Sequence, residues 1–162
     1  MNRNRESYRE LGALVAAHAP TDGEHATAIP KLIVSRRSAP SEPSHTALRP
    51  MFALVVQGAK SLTLGSERLE YGVGDFIVAT TDLPVVSRVT TATVAKPSLM
   101  IGLALDPERL AKLFARVDVK RLALPSRAGA RGVAVNRASP LLLDAVLRMV
   151  RLLERPEDIP AV

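Results

Sequence analysis

The 162-residue chain contains no cysteine and no tryptophan. Without thiols there is no disulfide framework, thiolate metal site, iron–sulfur cluster or cysteine nucleophile. Aromatic residues are scarce: three Phe and two Tyr leave the core to aliphatic side chains. No apolar run approaches the roughly 20 residues that a membrane helix needs. The N-terminal MNRNRESYRE also lacks the apolar stretch of a secretory signal. The expectation is a cytoplasmic protein with no membrane partner. What is present is a 47% hydrophobic composition, enough for a core of one domain's size and against wholesale disorder.

Several chemistries are missing at the motif level. The three histidines, His18, His25 and His45, have no HxH, HxxE or HExxH spacing, so nothing sets two metal ligands on one face. There is no GxSxG, hence no nucleophile elbow. Gly72-Val73-Gly74 leads into Asp75 and β-branched residues, and a carboxylate there would repel a phosphate; a strand-to-strand turn is expected. Glu67 and Glu70 fall on opposite faces by alternation, against paired-carboxylate chemistry. No catalytic group, metal or cofactor is expected.

The charge is +6, from 22 Lys and Arg against 16 Asp and Glu. Residues 51–105 are neutral, with four of each sign, and the excess lies mostly after residue 105. Between Arg109 and Arg137 eight basic residues meet one acid, Asp118. That stretch has irregular spacing and no interleaved aromatics. A solvated surface is the plainer reading, and an acidic or nucleic-acid partner the sharper one.

Along the chain, residues 5–18 show helical spacing through Tyr8, Leu11, Leu14 and Val15. A strand is expected at Lys31–Arg36, followed by a Pro- and Ser-rich loop. From Met51 to Asp106, short Val-, Ile-, Leu- and Thr-rich runs alternate with turn signals, the pattern of a meander or small barrel. Phe76-Ile77-Val78-Ala79 reads as buried on both faces. Gln57, Lys60, Asp75 and Arg88 are its polar exceptions, each a ligand contact or a strand-end position. Asp106-Pro107 and Ser139-Pro140 are cap-then-proline starts of two helices. The second helix is apolar around most of its circumference through Leu142, Leu143, Val146, Leu147, Met149, Val150 and Leu153. One surface covers less than that, so it is expected to pack on two things, with a second protomer as candidate. The tail ERPEDIPAV looks like the opening of another helix at a domain boundary. The expected division is 1–29 as a helical lead-in, 30–106 as the β unit and 107–162 as a helical dimerisation or linker segment.

The β block carries a resemblance. Val55, Gln57, Gly58 and Lys60, then Leu64 and Gly65, then Tyr71, Gly74 and Asp75, then Asp82, Leu83, Pro84 and Val85, occur in that order. With the upstream SRRSAPSEP loop, Lys96-Pro97-Ser98-Leu99 and the helix at 141–153, they resemble the N-terminal domain of AraC-type transcription regulators over nearly the whole chain. The resemblance implies a mainly β, α+β fold, a cupin-like small β-barrel with flanking helices. In such regulators this part senses a small-molecule effector or dimerises, and a C-terminal pair of helix-turn-helix units binds DNA. Residues 51–105 contain no His, so the metal chemistry of some cupins is not implied. No helix-turn-helix occurs, so operator DNA is expected as a partner only through a region absent from these residues.

The leading expectation is an effector-sensing and homodimerising module. A cupin-type enzyme is the alternative, and autonomous nucleic-acid binding through Arg109–Arg137 a third. The expected effector cavity is aliphatic, lined by Leu54, Val56, Phe76, Val78, Val85, Met100 and Leu103, for a small, weakly polar ligand. A one-residue error in the strand register would reverse that lining.

Overall fold

The structure, a computed structural model, describes residues 2–116, 128–130 and 132–159. Helix α1 (Asn2–His18) comes first and buries Leu11, Leu14 and Val15. Nine strands follow: β1 (Gly23–Ala26), β2 (Leu32–Arg37), β3 (Ser44–Leu48), β4 (Met51–Gln57), β5 (Ala59–Leu64), β6 (Glu67–Gly72), β7 (Asp75–Ala79), β8 (Leu83–Thr91) and β9 (Ser98–Ala104). Then come α2 (Pro107–Phe114), β10 (Ala128–Ala130), β11 (Val133–Arg137), α3 (Pro140–Arg151) and two short 3-10 turns, Leu152–Glu154 and Pro156–Asp158. Residues 117–127 and Arg131, the centre of the basic stretch, lie outside the described residues.

The helix starts follow from local chemistry. The Asp106 carboxylate accepts from the backbone N–H groups of Glu108 and Arg109 at 3.0 and 3.3 Å, with Pro107 at the first helical position. The Ser139 hydroxyl accepts from the Leu142 N–H at 3.2 Å, again ahead of a proline. Two strands were not foreseen. β1 (GEHA) is a sheet edge with alternating half-buried and exposed residues, and β3 is an edge whose first four residues are exposed. Edge strands carry few apolar residues because only one side is paired.

The strands form two antiparallel sheets. One has seven strands in the order β1-β2-β9-β4-β7-β11-β10, the other four in the order β3-β8-β5-β6. The fold is thus mainly β with flanking helices, but the sheets face each other with free edges instead of closing into a barrel. The outer segments join this unit: β1 precedes residue 30, β10 and β11 follow residue 106, and all three extend the large sheet.

The large sheet is apolar on both faces. Its outer face puts Leu54, Val56, Leu99 and Ile101 against Leu11 and Val15 of α1 and Leu143, Leu147 and Val150 of α3. Its inner face puts Ala53, Val55, Ile77 and Met100 against Leu62, Leu69, Tyr71 and Val85 of the small sheet. Each fully buried Leu or Val removes about 1.5–3 kcal/mol of exposed apolar surface from water, so these two layers hold the fold.

α3 packs on two surfaces, as its wide apolar arc leads one to expect, and both belong to this chain. Leu143, Val146, Leu147, Val150 and Leu153 are buried in the helix–sheet core, and Leu142 and Met149 pack against it. The two surfaces that its wide apolar arc requires are α1 and the large sheet, both of this chain. The outward side carries Asp144, Ala145, Arg148 and Arg151, with Leu141, 84% exposed, as its one large apolar residue. Of the seven residues named above, five are buried within this chain, and Leu142 and Met149 remain part-exposed.

Candidate functional site: the cleft between the sheets

β5 is where the site begins. Its alternation sends Lys60 and Leu62 inward, and its pairing with β6 sets Lys60 opposite Tyr71 and Leu62 opposite Leu69. From β8, Val85 and Ser87 point the same way. Across the gap the large sheet contributes Met51, Ala53, Ile77, Met100 and Gly102. The cleft, partly open to solvent, is about 470 Å³, within the range of small-molecule sites. Glu24, Lys31, Thr46, Leu48, Arg49 and Ala104 are among the residues of its rim.

The walls are apolar and the polar groups few. Burial pushes the Lys60 ammonium below the ordinary lysine range; the Arg37 guanidinium adds to this and Glu24 opposes it. Tyr71 is buried, which drives its phenol well above the usual tyrosine range. Among the described residues neither side chain makes a hydrogen bond or salt bridge. Lys31 at the rim is held by Asp106 at 3.1 Å. A second, open groove of about 580 Å³ lies over the outer ends of β5, β6 and β8. Its Arg68, Glu70, Arg88 and Thr90 give a solvated, charged surface with no apolar enclosure, so the inter-sheet cleft is the better site for a small organic ligand.

Of the expected cavity residues, Val85 and Met100 line the cleft. Leu54, Val56, Phe76, Val78 and Leu103 do not: they face the opposite way, into the core beneath α1 and α3. The reason is the double-sided burial of β4, whose Ala53, Leu54, Val55 and Val56 are all buried. With apolar residues at consecutive positions, no alternation marks which set is inward, and a one-residue shift exchanges the faces. The small sheet, solvated on its outer side, does carry the signal. Leu62 and Leu69 alternate with polar neighbours, and the β5–β6 register seen in the structure turns Lys60 and Tyr71 to the same side as these leucines.

The remaining motif residues build turns around the cleft. Gln57 ends β4, and its amide donates to the Pro97 carbonyl at 2.7 Å. Gly58 has a φ of +82°, and a Cβ there would lie 2.5 Å from the Thr91 carbonyl oxygen, so a side chain is excluded twice over. Gly65 occupies the β5–β6 turn. In the β6–β7 turn, Asp75 accepts from the Gly72 N–H at 3.0 Å and pairs with Arg137 at 3.2 Å. Gly74, with a φ of +84°, lies beneath the Tyr8 hydroxyl of α1. Burial raises the Tyr8 phenol above its ordinary range; Arg137 works against this and Asp75 with it. Asp82 and Pro84 are exposed on the β8 side of the small sheet. Arg88 donates to the Ser41 carbonyl at 2.9 Å and so tethers that loop to β8.

The architecture has known counterparts. ToxT from Vibrio cholerae superposes with a TM-score of 0.51 at 11% identity, covering 74% of this chain and 46% of that one. An apo variant of ToxT from Vibrio cholerae strain SCE256 gives 0.50 at 6% identity, over 83% of this chain and 53% of that one. At such identities the likeness is one of fold, and this chain spans about half the length of ToxT. No curated protein sequence matches significantly. A family model described as AraC-type transcriptional regulator N-terminus matches residues 28–162, taking in α3 and every strand of the two sheets except the edge strand β1. The chain therefore belongs to the AraC-type transcriptional regulator N-terminus family.

Proposed function

We propose that this chain is the effector-sensing module of a transcription regulator and that the cleft between its sheets receives the effector. The observation that carries the reading is a partly open, mainly apolar cleft of about 470 Å³ between the two layers of an AraC-type N-terminal fold. A core that served packing alone would be filled to the density of an organic crystal. Here the inner residues Ile77 and Met100 stand back to back with Phe76 and Ile101, which pack against the helices. A ligand in the cleft thus presses on the same sheet that supports α1 and α3. It acts on the regulator by binding one arrangement of these layers better than another. DNA recognition belongs in this reading to a helix-turn-helix region outside these residues.

The family supports a regulatory, binding role for this module over the cupin-type enzyme.

A thermal-shift screen of a small-molecule collection tests the proposal, with Ser87→Trp as control. Ser87 lines the cleft, and an indole there occupies it. Ligands are expected to raise the melting temperature of the wild-type chain and to lose that effect in Ser87→Trp. Equal shifts in both proteins would place binding elsewhere and contradict the proposal.

A further inference from the structure

The ends of the two sheets are β1 and β10 in the large one, β3 and β6 in the small one. A terminal strand offers unpaired N–H and C=O groups, and proteins blunt it with charges, prolines or shortness. β10 has three residues, β1 carries Glu24, and β6 carries Glu67, Arg68 and Glu70. β3 is the exception. Its five residues, Ser44 to Leu48, include no Lys, Arg, Asp, Glu or Pro, and they pair with β8 in unbroken register. Ser44, His45, Thr46 and Ala47 are all exposed. A shallow, mainly apolar groove of about 480 Å³ lies against the strand, lined by His45, Ala47, Leu83 and Pro84.

The composition of β3 selects a second β3 as the strand to add. Antiparallel pairing about a two-fold axis at Thr46 sets Thr46 against Thr46, His45 against Ala47 and Ser44 against Leu48. No like charges meet, and a Thr–Thr pair is favourable across strands. Moving the axis one residue either way would bring Pro43 or Pro50 into the paired stretch, where a ladder N–H is lost. Just outside the strand, the antiparallel arrangement brings Glu42 of each copy to the end where Arg49 of the other emerges, and both are exposed. Pairing of β3 with a different edge of another copy runs head to tail and leaves edges free, whereas the two-fold pair closes on itself.

We propose that β3 is a self-association edge, pairing antiparallel with β3 of a second copy about Thr46 and joining two four-stranded sheets into one continuous sheet. Thr46 and Leu48 also line the cleft, so the seam borders its opening. Five paired residues per copy make a contact well below a standard interface, so the association is weak and concentration-dependent. It stands whether or not the cleft takes an effector.

The cysteine-free chain makes the seam directly readable. Opposed Cα atoms in an antiparallel pair lie about 4.5–5.5 Å apart, within the span of a disulfide. Thr46→Cys is expected to oxidise to a covalent dimer in large excess over Val94→Cys, whose position is 80% exposed but far from the seam in sequence and sheet. A mixture of Ser44→Cys and Leu48→Cys chains should form the mixed dimer in preference to either homodimer. Sedimentation of the unmodified chain from about 10 μM to 1 mM should show a monomer–dimer equilibrium. Thr46→Lys, which sets two ammonium groups face to face, should weaken it about tenfold or more with its melting temperature unchanged. Glu42→Arg should weaken it by a smaller factor, and adding Arg49→Glu should restore it. A chain monomeric at the highest concentration, a dimer undiminished in Thr46→Lys, or equal crosslinking of Thr46→Cys and Val94→Cys would overturn the proposal.

Discussion

The Arg137 guanidinium donates to the Val73 carbonyl at 2.6 Å and to the Asp75 carboxylate at 3.2 Å, closing the β6–β7 turn from the last strand before α3. Asp75 in turn holds the Gly72 N–H, and the Ala138 N–H donates to the Gly74 carbonyl at 2.8 Å. This knot joins β6, whose Tyr71 lines the cleft, to α1 through Tyr8 and to the start of α3. Replacing Asp75 by Ala removes the acceptor of Gly72 and the partner of Arg137. A loss of about 1–2 kcal/mol in denaturant unfolding is expected.

Gly74 is the geometric key of the same knot. A Cβ there would lie 2.8 Å from the Tyr8 hydroxyl and 3.0 Å from Arg137 Cζ, at a φ that disfavours side chains in any case. Gly74→Ala is expected to cost about 1–3 kcal/mol. Tyr8→Phe in that background removes the nearest clash and should recover part of the loss. Unchanged stability of Gly74→Ala would mean that the turn is not held as described.

The fate of α3 gives a third outcome. Leu147→Ala leaves a void between α3, α1 and the sheet and should lower stability by about 2–4 kcal/mol. Sedimentation should show the same oligomeric state for the variant as for the wild type. Dissociation without loss of protomer stability would restore the helix to an interface.

Lys60 sets a pH dependence with a defined sign. Burial holds its pKa below the ordinary 10.5, with Arg37 adding to the shift and Glu24 opposing it; Tyr71 faces it from β6. Between the lowered value and 10.5 the unfolded chain carries more protons than the folded one, so stability of the unliganded protein rises with pH across that window. Lys60→Met is expected to abolish the rise and to stabilise the protein near neutrality by about 1 kcal/mol. Thermal melts at several pH values read both effects.

The acid side depends on exposed groups. Glu10, hydrogen-bonded by Arg151 at 2.7 and 2.9 Å, titrates below its ordinary 4.5, first because of that hydrogen bond. Its contribution is present above 4.5 and is lost as pH falls through the lowered value. Exposure and salt make it small. Glu10→Gln should therefore flatten the acid limb slightly at low ionic strength and not at all at high salt.

Much of this molecule is legible in its residues. The capped starts of α2 and α3, the glycine turns and the order of the central strands follow from local rules. So does the two-sided burial of Phe76 to Ala79. Lys60 was singled out as a polar exception within an apolar run, but whether it lay inside or at a strand end depended on pairing with β6, a nonlocal fact. The lining went wrong where local pattern is silent: Leu54 and Val55 are equally apolar and equally buried, and only the helices on one side and the small sheet on the other tell them apart. The breadth of α3's apolar arc was visible, but not that α1, more than a hundred residues earlier in the chain, supplies its second surface.

The most direct measurement is the position of a bound ligand's protons relative to the two faces of the large sheet. Intermolecular nuclear Overhauser effects from a screening hit to the methyl groups of Met51, Met100 and Val85 are predicted. Contacts to Leu54, Val56 or Met149 in their place would put the ligand on the helix side and contradict the account.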